Sequence, residues 1–199
     1  MLKIGLTGSI GTGKSTVSKL LRERGIAVID ADLLAREIVK KGQECLNDLK
    51  NVFGNQVLTI DGELDRKKLG QIVFSDDSKL ELLNSVTHPH IRRRMKAQMN
   101  ELESKNNKVI VLDVPLLFEA KMEDLVDIIL VVFVKEEIQI KRIMERDNCT
   151  QEEAIRIIKT QISQQDKISK SDYTIDNSGT IEELKEKLNG FLEKIEENK

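Results

Sequence analysis

Gly8-Ser9-Ile10-Gly11-Thr12-Gly13-Lys14-Ser15, followed by Thr16, fills the pattern G-x-x-x-x-G-K-[ST] and decides how the rest of the chain is read. Before it, Leu2 to Thr7 reads as a short strand with Ile4 and Leu6 apolar. After it, Val17, Leu20 and Leu21 share one helical face, while Lys19, Arg22 and Glu23 lie outside that face. Strand, glycine-rich loop and helix are the context a phosphate-binding loop requires. Glycines at 8, 11 and 13 let the backbone turn tightly and aim several N–H donors at a polyphosphate, whose charge also suits the positive end of the following helix. Lys14 adds a cation at the transferring phosphate, and the Ser15 hydroxyl is a ligand for Mg²⁺, a small hard cation that takes its other oxygens from water and nucleotide. At average residue frequencies a window fits this pattern by accident about 3 times in 100,000, too rarely for chance to place one here. Gly8, Gly11, Thr12, Gly13, Lys14, Ser15 and Thr16 are therefore predicted to hold nucleotide phosphates.

With 199 residues the chain can bury a substantial core, as one domain or as one domain carrying an insertion. Charged residues make up 33% and hydrophobic ones 39%, with no Trp and one Tyr, the composition of a soluble, helix-rich globular protein. A net charge of -2 leaves no excess of cations for nucleic acid, so no nucleic-acid partner is expected and an anionic ligand must be met by locally placed Lys and Arg. Cys45 and Cys149 form no C-x-x-C pair, which removes a redox or metal motif and fits a reducing cytosol. The first strand begins almost at the N-terminus and no apolar run approaches the ~18 residues of a membrane span. A cytoplasmic protein with no signal peptide and no membrane partner is expected, as a monomer.

Gly25 ends the helix of the loop, and Ile26-Ala27-Val28-Ile29 makes a second strand that stops at Asp30-Ala31-Asp32. Ligands of open parallel sheets lie beyond the carboxyl ends of strands, so Asp30 and Asp32 are both candidates for a base beside Lys14; Asp30 is equally suited to cap the helix that follows. Residues 33–103 then break the alternation of strand and helix and read as a helical insertion. Leu33, Leu34, Ile38 and Val39 form an apolar face stopped by Gly42, and turns fall at Phe53-Gly54-Asn55 and Asp61-Gly62. His88-Pro89 reads as a helix start, and Arg92-Arg93-Arg94 adds local positive charge.

Lys108 to Asp113 is a buried strand ending in an acid that resembles a Walker B carboxylate and would join the Mg²⁺ shell. Pro115-Leu116-Leu117-Phe118-Glu119 follows as a turn of unusual apolar weight. Ile128 to Val134 repeats the strand pattern, and Glu136 to Arg146 is helical, with Arg142 and Arg146 one turn apart. After the break at Asp147-Asn148-Cys149, Thr150-Gln151-Glu152-Glu153 forms a capping box. Two helices around a polar break, carrying arginines at i and i+4, suit a lid closing over phosphates, placed at about 142–167. Tyr173-Thr174-Ile175 is the last strand, Asn177-Ser178-Gly179 a turn, and an amphipathic helix runs from Thr180.

The loop together with Val-Ile-Asp-Ala-Asp, Leu64-Asp65-Arg66, His88-Pro89, Pro115 to Glu119, Arg146-Asp147 and Ile175-Asp-Asn-Ser-Gly179, in this order over residues 2–179, resembles dephospho-coenzyme A kinases. The resemblance implies an α/β, P-loop three-layer fold with a parallel sheet of about five strands, in which 1–32 and 104–199 form the nucleotide-binding core and lid and 33–103 the helical substrate-binding insertion. It implies ATP and Mg²⁺ as cofactors, dephospho-coenzyme A as the partner molecule, and transfer of a phosphoryl group to the ribose 3′-hydroxyl. Within that resemblance Asp32 is the acid at the acceptor hydroxyl, Lys14 the phosphate clamp, and Arg142 the lid cation, with Arg146 beside it on the nucleotide. Asn177 falls at the edge of adenine; Arg66, His88 and Leu116 fall on the acceptor; Ser15 and Asp113 fall on the metal. Ser9 departs from the second glycine of many relatives at a position the motif leaves free. A nucleoside monophosphate kinase would share loop and lid but lack the Asp-Ala-Asp and Pro-Leu-Leu stretches, and a regulatory nucleotide switch would carry an Asn-Lys-x-Asp turn, which this chain lacks.

Overall fold

In the computed structural model, which describes residues 1–73 and 76–197, strands β1 (Leu2–Thr7), β2 (Ala27–Asp30), β3 (Val109–Asp113), β4 (Ile128–Phe133) and β5 (Tyr173–Asp176) form one sheet in the order β2-β3-β1-β4-β5. β1 runs parallel to β3, with Leu6 opposite Asp113, and parallel to β4, with Thr7 opposite Val131; β4 runs parallel to β5. Parallel neighbours need crossover connections, whose helices cover both faces, and that is why β3 and β4 are unbroken apolar runs. β1 lies where the strand order reverses, the place in an open α/β sheet where a crevice opens beyond the strand ends.

Helices α1 (Lys14–Glu23) and α9 (Ile181–Glu197) cover one face. Ile4, Leu6, Val111, Leu130, Val132 and Ile175 of the sheet pack there with Val17, Leu20 and Leu21 of α1 and Leu184, Leu188, Phe191 and Ile195 of α9. On the other face the missing side chain of Gly5 admits Leu117 and Val126, which would stand only 3.1–3.2 Å from a Cβ. Helices α6 (Glu136–Asp147), α7 (Gln151–Ile158) and α8 (Gln164–Ser169) separate β4 from β5. α6 stops at Asn148 in a left-handed conformation (φ 50°, ψ 49°), and α7 starts with the expected Thr150–Glu153 capping box.

The chain forms two compact units, 1–29 with 102–199, and 30–101. The second holds α2 (Ala31–Glu37), α3 (Glu44–Phe53), α4 (Arg66–Val73) and most of α5 (Asp77–Ser104). His90 Nε2 lies 2.7 Å from Asp48 Oδ2, and Arg93 pairs with Glu44, so polar side chains tie α5 to α3. The structure corrects two expectations here. α2 ends at Glu37, Ile38 and Val39 are buried in the turn beyond it, and Leu33 is 52% exposed; the chain leaves the helix before Gly42, which serves the turn with φ 88°. His88 does not start a helix, because α5 continues through Pro89. The helix keeps Ile91, Met95 and Met99 buried at i, i+4 and i+8, and that face sustains it across the donor the proline removes.

Replacing Leu188, fully buried between α9 and the sheet, with Ala should lower stability by about 2–5 kcal/mol, while Leu33→Ala should stay within about 0.5 kcal/mol, both read from urea unfolding. Burial, with the Arg92 guanidinium, pushes the His88 pKa below its ordinary 6.5. The unfolded chain then takes up protons that the folded one refuses, so stability is intact above pH 6.5 and declines as the pH falls below it. His88→Asn should flatten that decline, measured as urea midpoints at several pH values.

Candidate active site

Between Thr7 and Lys14 the chain leaves β1 and enters α1 through backbone that only glycine adopts without strain: φ is 79° at Gly11 and 81° at Gly13. A Cβ at Gly8 would stand 2.6 Å from the Val132 carbonyl oxygen, and one at Gly13 would collide with the Asn177 amide nitrogen. The carbonyls of the loop are held by side-chain donors. Thr12 Oγ1 donates to Ser9 O (2.8 Å), Gln139 Nε2 to Ile10 O (2.7 Å) and Asn177 Nδ2 to Thr12 O (2.8 Å). With those carbonyls fastened to the protein, and the Thr16 and Val17 N–H groups closing onto the Gly13 carbonyl, the N–H groups at the very start of α1, Lys14 and Ser15, remain for an anion.

The β1–β3 register sets Asp113 level with Leu6, one residue short of the end of β1. Asp113 and Lys14 are both largely buried, at 5% and 14% side-chain exposure, and they form an ion pair. The strand-end acid and the loop lysine thus share one place, with Ser15 exposed on the first turn of α1 beside them.

Arg142 reaches the loop from α6. Its Nη2 donates to the Asn177 carbonyl (3.0 Å), while Nη1, 3.5 Å from where a Gly13 Cβ would be, is buried without a hydrogen-bond partner. Leaving a buried guanidinium N–H unmet costs on the order of 1–3 kcal/mol, and a phosphate oxygen on the loop would meet it. The residues present therefore fit a polyphosphate. Arg146 is differently engaged: its Nε and Nη2 grip Asp147 at 2.8 and 2.7 Å, and this hydrogen bonding raises the Arg146 pKa and lowers that of Asp147. Asn177 is not an open edge for a base either, since its Nδ2 is committed to the loop and the residue is buried.

In the second unit, Asp30 is the cap of α2. Its Oδ1 accepts from the N–H groups of Asp32 (3.0 Å) and Leu33 (3.1 Å). Asp32, in the first turn, is exposed, and Arg66 is exposed at the start of α4. His88 is half-buried within α5. Leu116 belongs to the first unit and is 43% exposed in the turn after β3, whereas Leu117 and Phe118 are buried.

The family model for dephospho-CoA kinase matches residues 2–183. The chain belongs to the dephospho-CoA kinase family. Dephospho-CoA kinase of Carboxydothermus hydrogenoformans is 48% identical to it over 191 residues, 96% of this chain and 93% of that protein. A solved protein from Thermus thermophilus is 34% identical with a TM-score of 0.81 over 97% of each chain. The dephospho-CoA kinase structure from Campylobacter jejuni is 29% identical with a TM-score of 0.74 over 98% of each chain.

Several side chains around this family's loop escape a reading of the sequence. Gln139 is buried on the same face of α6 as Ile143, and a polar residue at an apolar position of the helical period was the available signal. Gln161, whose Oε1 accepts from the Ile10 N–H (2.9 Å), lies in an irregular link between α7 and α8, where no periodicity marks it. Lys167, wholly buried in α8, is ion-paired with Glu119 at 2.9 Å and carries no sequence signal at all.

Gly13→Ala should abolish nucleotide binding, by about 100-fold or more in calorimetry with ATP, because a Cβ is excluded both by φ and by Asn177. Asn177→Ala, which removes one hydrogen bond to the loop, should weaken binding by about tenfold with a near-normal melting temperature.

Proposed function

We propose that this protein transfers the γ-phosphoryl group of ATP to the ribose 3′-hydroxyl of dephospho-coenzyme A, giving coenzyme A and ADP, the last step of coenzyme A synthesis. The observation that carries this reading is the match to dephospho-CoA kinase over residues 2–183, in a chain whose phosphate loop is built and fastened. The bond that forms joins the 3′ oxygen to the γ-phosphorus; the bond that breaks joins that phosphorus to the β–γ bridging oxygen, which leaves with ADP. Such a transfer has a loose transition state, so the protein contributes alignment and charge rather than covalent help.

Gly8, Gly11 and Gly13 present backbone donors to the phosphates and Thr16 its hydroxyl, while Thr12, with hydroxyl and N–H both turned to Ser9 O, keeps the loop in shape for them. Lys14 leaves its ion pair with Asp113 to meet the transferring phosphate, and the unmatched Nη1 of Arg142 binds an oxygen of the same group. Exchange of a carboxylate partner for a phosphate keeps the Lys14 charge compensated throughout. Ser15 and Asp113 are the oxygens we assign to Mg²⁺; a hydroxyl, one carboxylate and the phosphates of the nucleotide are a donor set this cation accepts. When bound, the ion would offset charge on the β- and γ-phosphates. Among the described residues no group of three His, Cys, Asp or Glu side chains is placed to hold a metal by itself.

Asp32 takes the proton of the 3′-hydroxyl or orients it. Support comes from the division of labour in α2, where Asp30 makes the cap and Asp32 stands exposed one step into the helix. Arg66, His88 or the Arg92–Arg94 stretch, and Leu116, are the residues we assign to the acceptor. Two unpaired cysteines support placing the protein in the cytoplasm, and no helix among the described residues is long and apolar enough to cross a membrane.

Lys14→Ala should lower kcat by at least about 100-fold in protein still folded at the assay temperature, while the Asp113 carboxylate left without its partner lowers the urea midpoint. Asp32→Asn should keep ATP affinity and lose a factor of roughly 10²–10⁴ in kcat. Since Asp30 makes the cap, a wild-type kcat in Asp32→Asn would remove this residue from the chemistry rather than from the helix.

A further inference from the structure

The largest buried charge outside the phosphate loop is Lys167 of α8, with no solvent exposure. Its Nζ lies 2.9 Å from Glu119 Oε1 and donates to the Pro115 carbonyl at 3.4 Å. The same Pro115 oxygen accepts from Thr7 Oγ1 (3.0 Å), immediately before the phosphate loop. The same Glu119 Oε1 accepts from the Ile162 N–H (3.1 Å), and the preceding residue, Gln161, accepts from Ile10 within the loop (2.9 Å). These bonds close a ring: Thr7, the phosphate loop to Ile10, Gln161-Ile162, Glu119, Lys167, Pro115, and back to Thr7. Lys170 adds a second hold from α8, its Nζ standing 5.8 Å from the centre of the Phe118 ring.

The ring joins two segments with different tasks. One carries the nucleotide phosphates; the other is the Pro115–Glu119 turn, which buries Leu117 and Phe118 and presents Leu116. We infer that Lys167 and Glu119 are positioning residues that make order in this turn depend on occupation of the phosphate loop, so that bound ATP prepares the acceptor's contact. This rests on the phosphoryl-transfer reading for the acceptor alone; the link between loop and turn stands on the bonds just described. A phosphate that draws the backbone of residues 8–15 into one conformation fixes Ile10, and through Gln161 and Ile162 it fixes the carboxylate to which Lys167 and the turn are bound. The second oxygen of Glu119 is buried without a partner, which makes Lys167 the charge that keeps this carboxylate in place. Coupling of this kind is reciprocal, so an ordered turn also strengthens the hold on nucleotide.

The test uses the full chain. Lys167→Met alone would strand a buried carboxylate, so the variant of choice is Lys167→Met with Glu119→Leu, which removes both charges together. Amide hydrogen exchange is followed with and without ATP. In the wild type ATP should slow exchange at residues 8–15 and also at 116–120; in the double variant it should slow only 8–15. The KM for dephospho-coenzyme A at saturating ATP should rise about tenfold, whereas the affinity for ATP measured without the acceptor should fall by no more than about threefold. Gln161→Leu, which cuts the ring at its Ile10 end, should reproduce the loss of ATP-dependent slowing at 116–120 and serves where the double variant does not fold. Slowing at 116–120 that persists in the variants, or that ATP never produces in the wild type, overturns the coupling. A wild type that ignores dephospho-coenzyme A would instead overturn the function, and the exchange measurement, which needs only ATP, would still decide on the ring.

Discussion

A loop that binds phosphate through its backbone N–H groups must be held mainly by its carbonyl oxygens, with few of those N–H groups spent inside the protein. Most of this structure follows from that constraint. The carbonyl oxygens of Ser9, Ile10 and Thr12 are taken by Thr12, Gln139 and Asn177, three side-chain donors that come from the loop itself, from α6 and from the end of β5. Each buried amide donor also satisfies a carbonyl that would otherwise cost free energy below the loop. The parallel sheet supplies the platform: β4 and β5 end level with each other, two residues beyond the partner of Thr7, so Asn177 arrives beside the loop that follows β1.

The same constraint separates what could be read from the sequence from what could not. The α/β class, the strands, the loop and the Thr150 capping box are local patterns, written within a few neighbouring residues by period and by turn chemistry. Tertiary hydrogen bonds are not local. Asn177 and Thr12 are 165 residues apart, Gln161 and Ile10 are 151 apart, and no spacing announces either contact. Lys167 is the clearest case, since its six-residue helix is polar except for Ile168 and nothing in that stretch distinguishes a buried lysine from a solvated one.

The errors have physical causes as well. The His88-Pro89 pair suggests a helix start, but α5 runs through it, and the face buried at Ile91, Met95 and Met99 just beyond the proline outweighs one missing donor. Arg142 and Arg146 looked equivalent by spacing. One turn of helix gives the first the loop as its neighbour and leaves the second within reach of Asp147, so only the partner, and not the period, tells them apart. The resemblance puts Asn177 at the edge of adenine, and no spacing reveals that its Nδ2 is bonded to the Thr12 carbonyl of the loop.

The order of strands bears on how the chain can be made. β1 leaves the ribosome long before its hydrogen-bond partners, β3 and β4, which begin at Val109 and Ile128. At ordinary rates of synthesis the central strand waits on the order of 5–20 s, through about a hundred residues, before either edge can be covered. During that interval the contiguous unit of residues 30–101 is complete and can collapse by itself, whereas the unit that binds nucleotide needs both ends of the chain. An apolar strand with two open edges is a template for unwanted pairing. Its brevity, six residues with Lys3 on one side and Gly5 at its centre, limits that exposure while the rest of the sheet is still being translated.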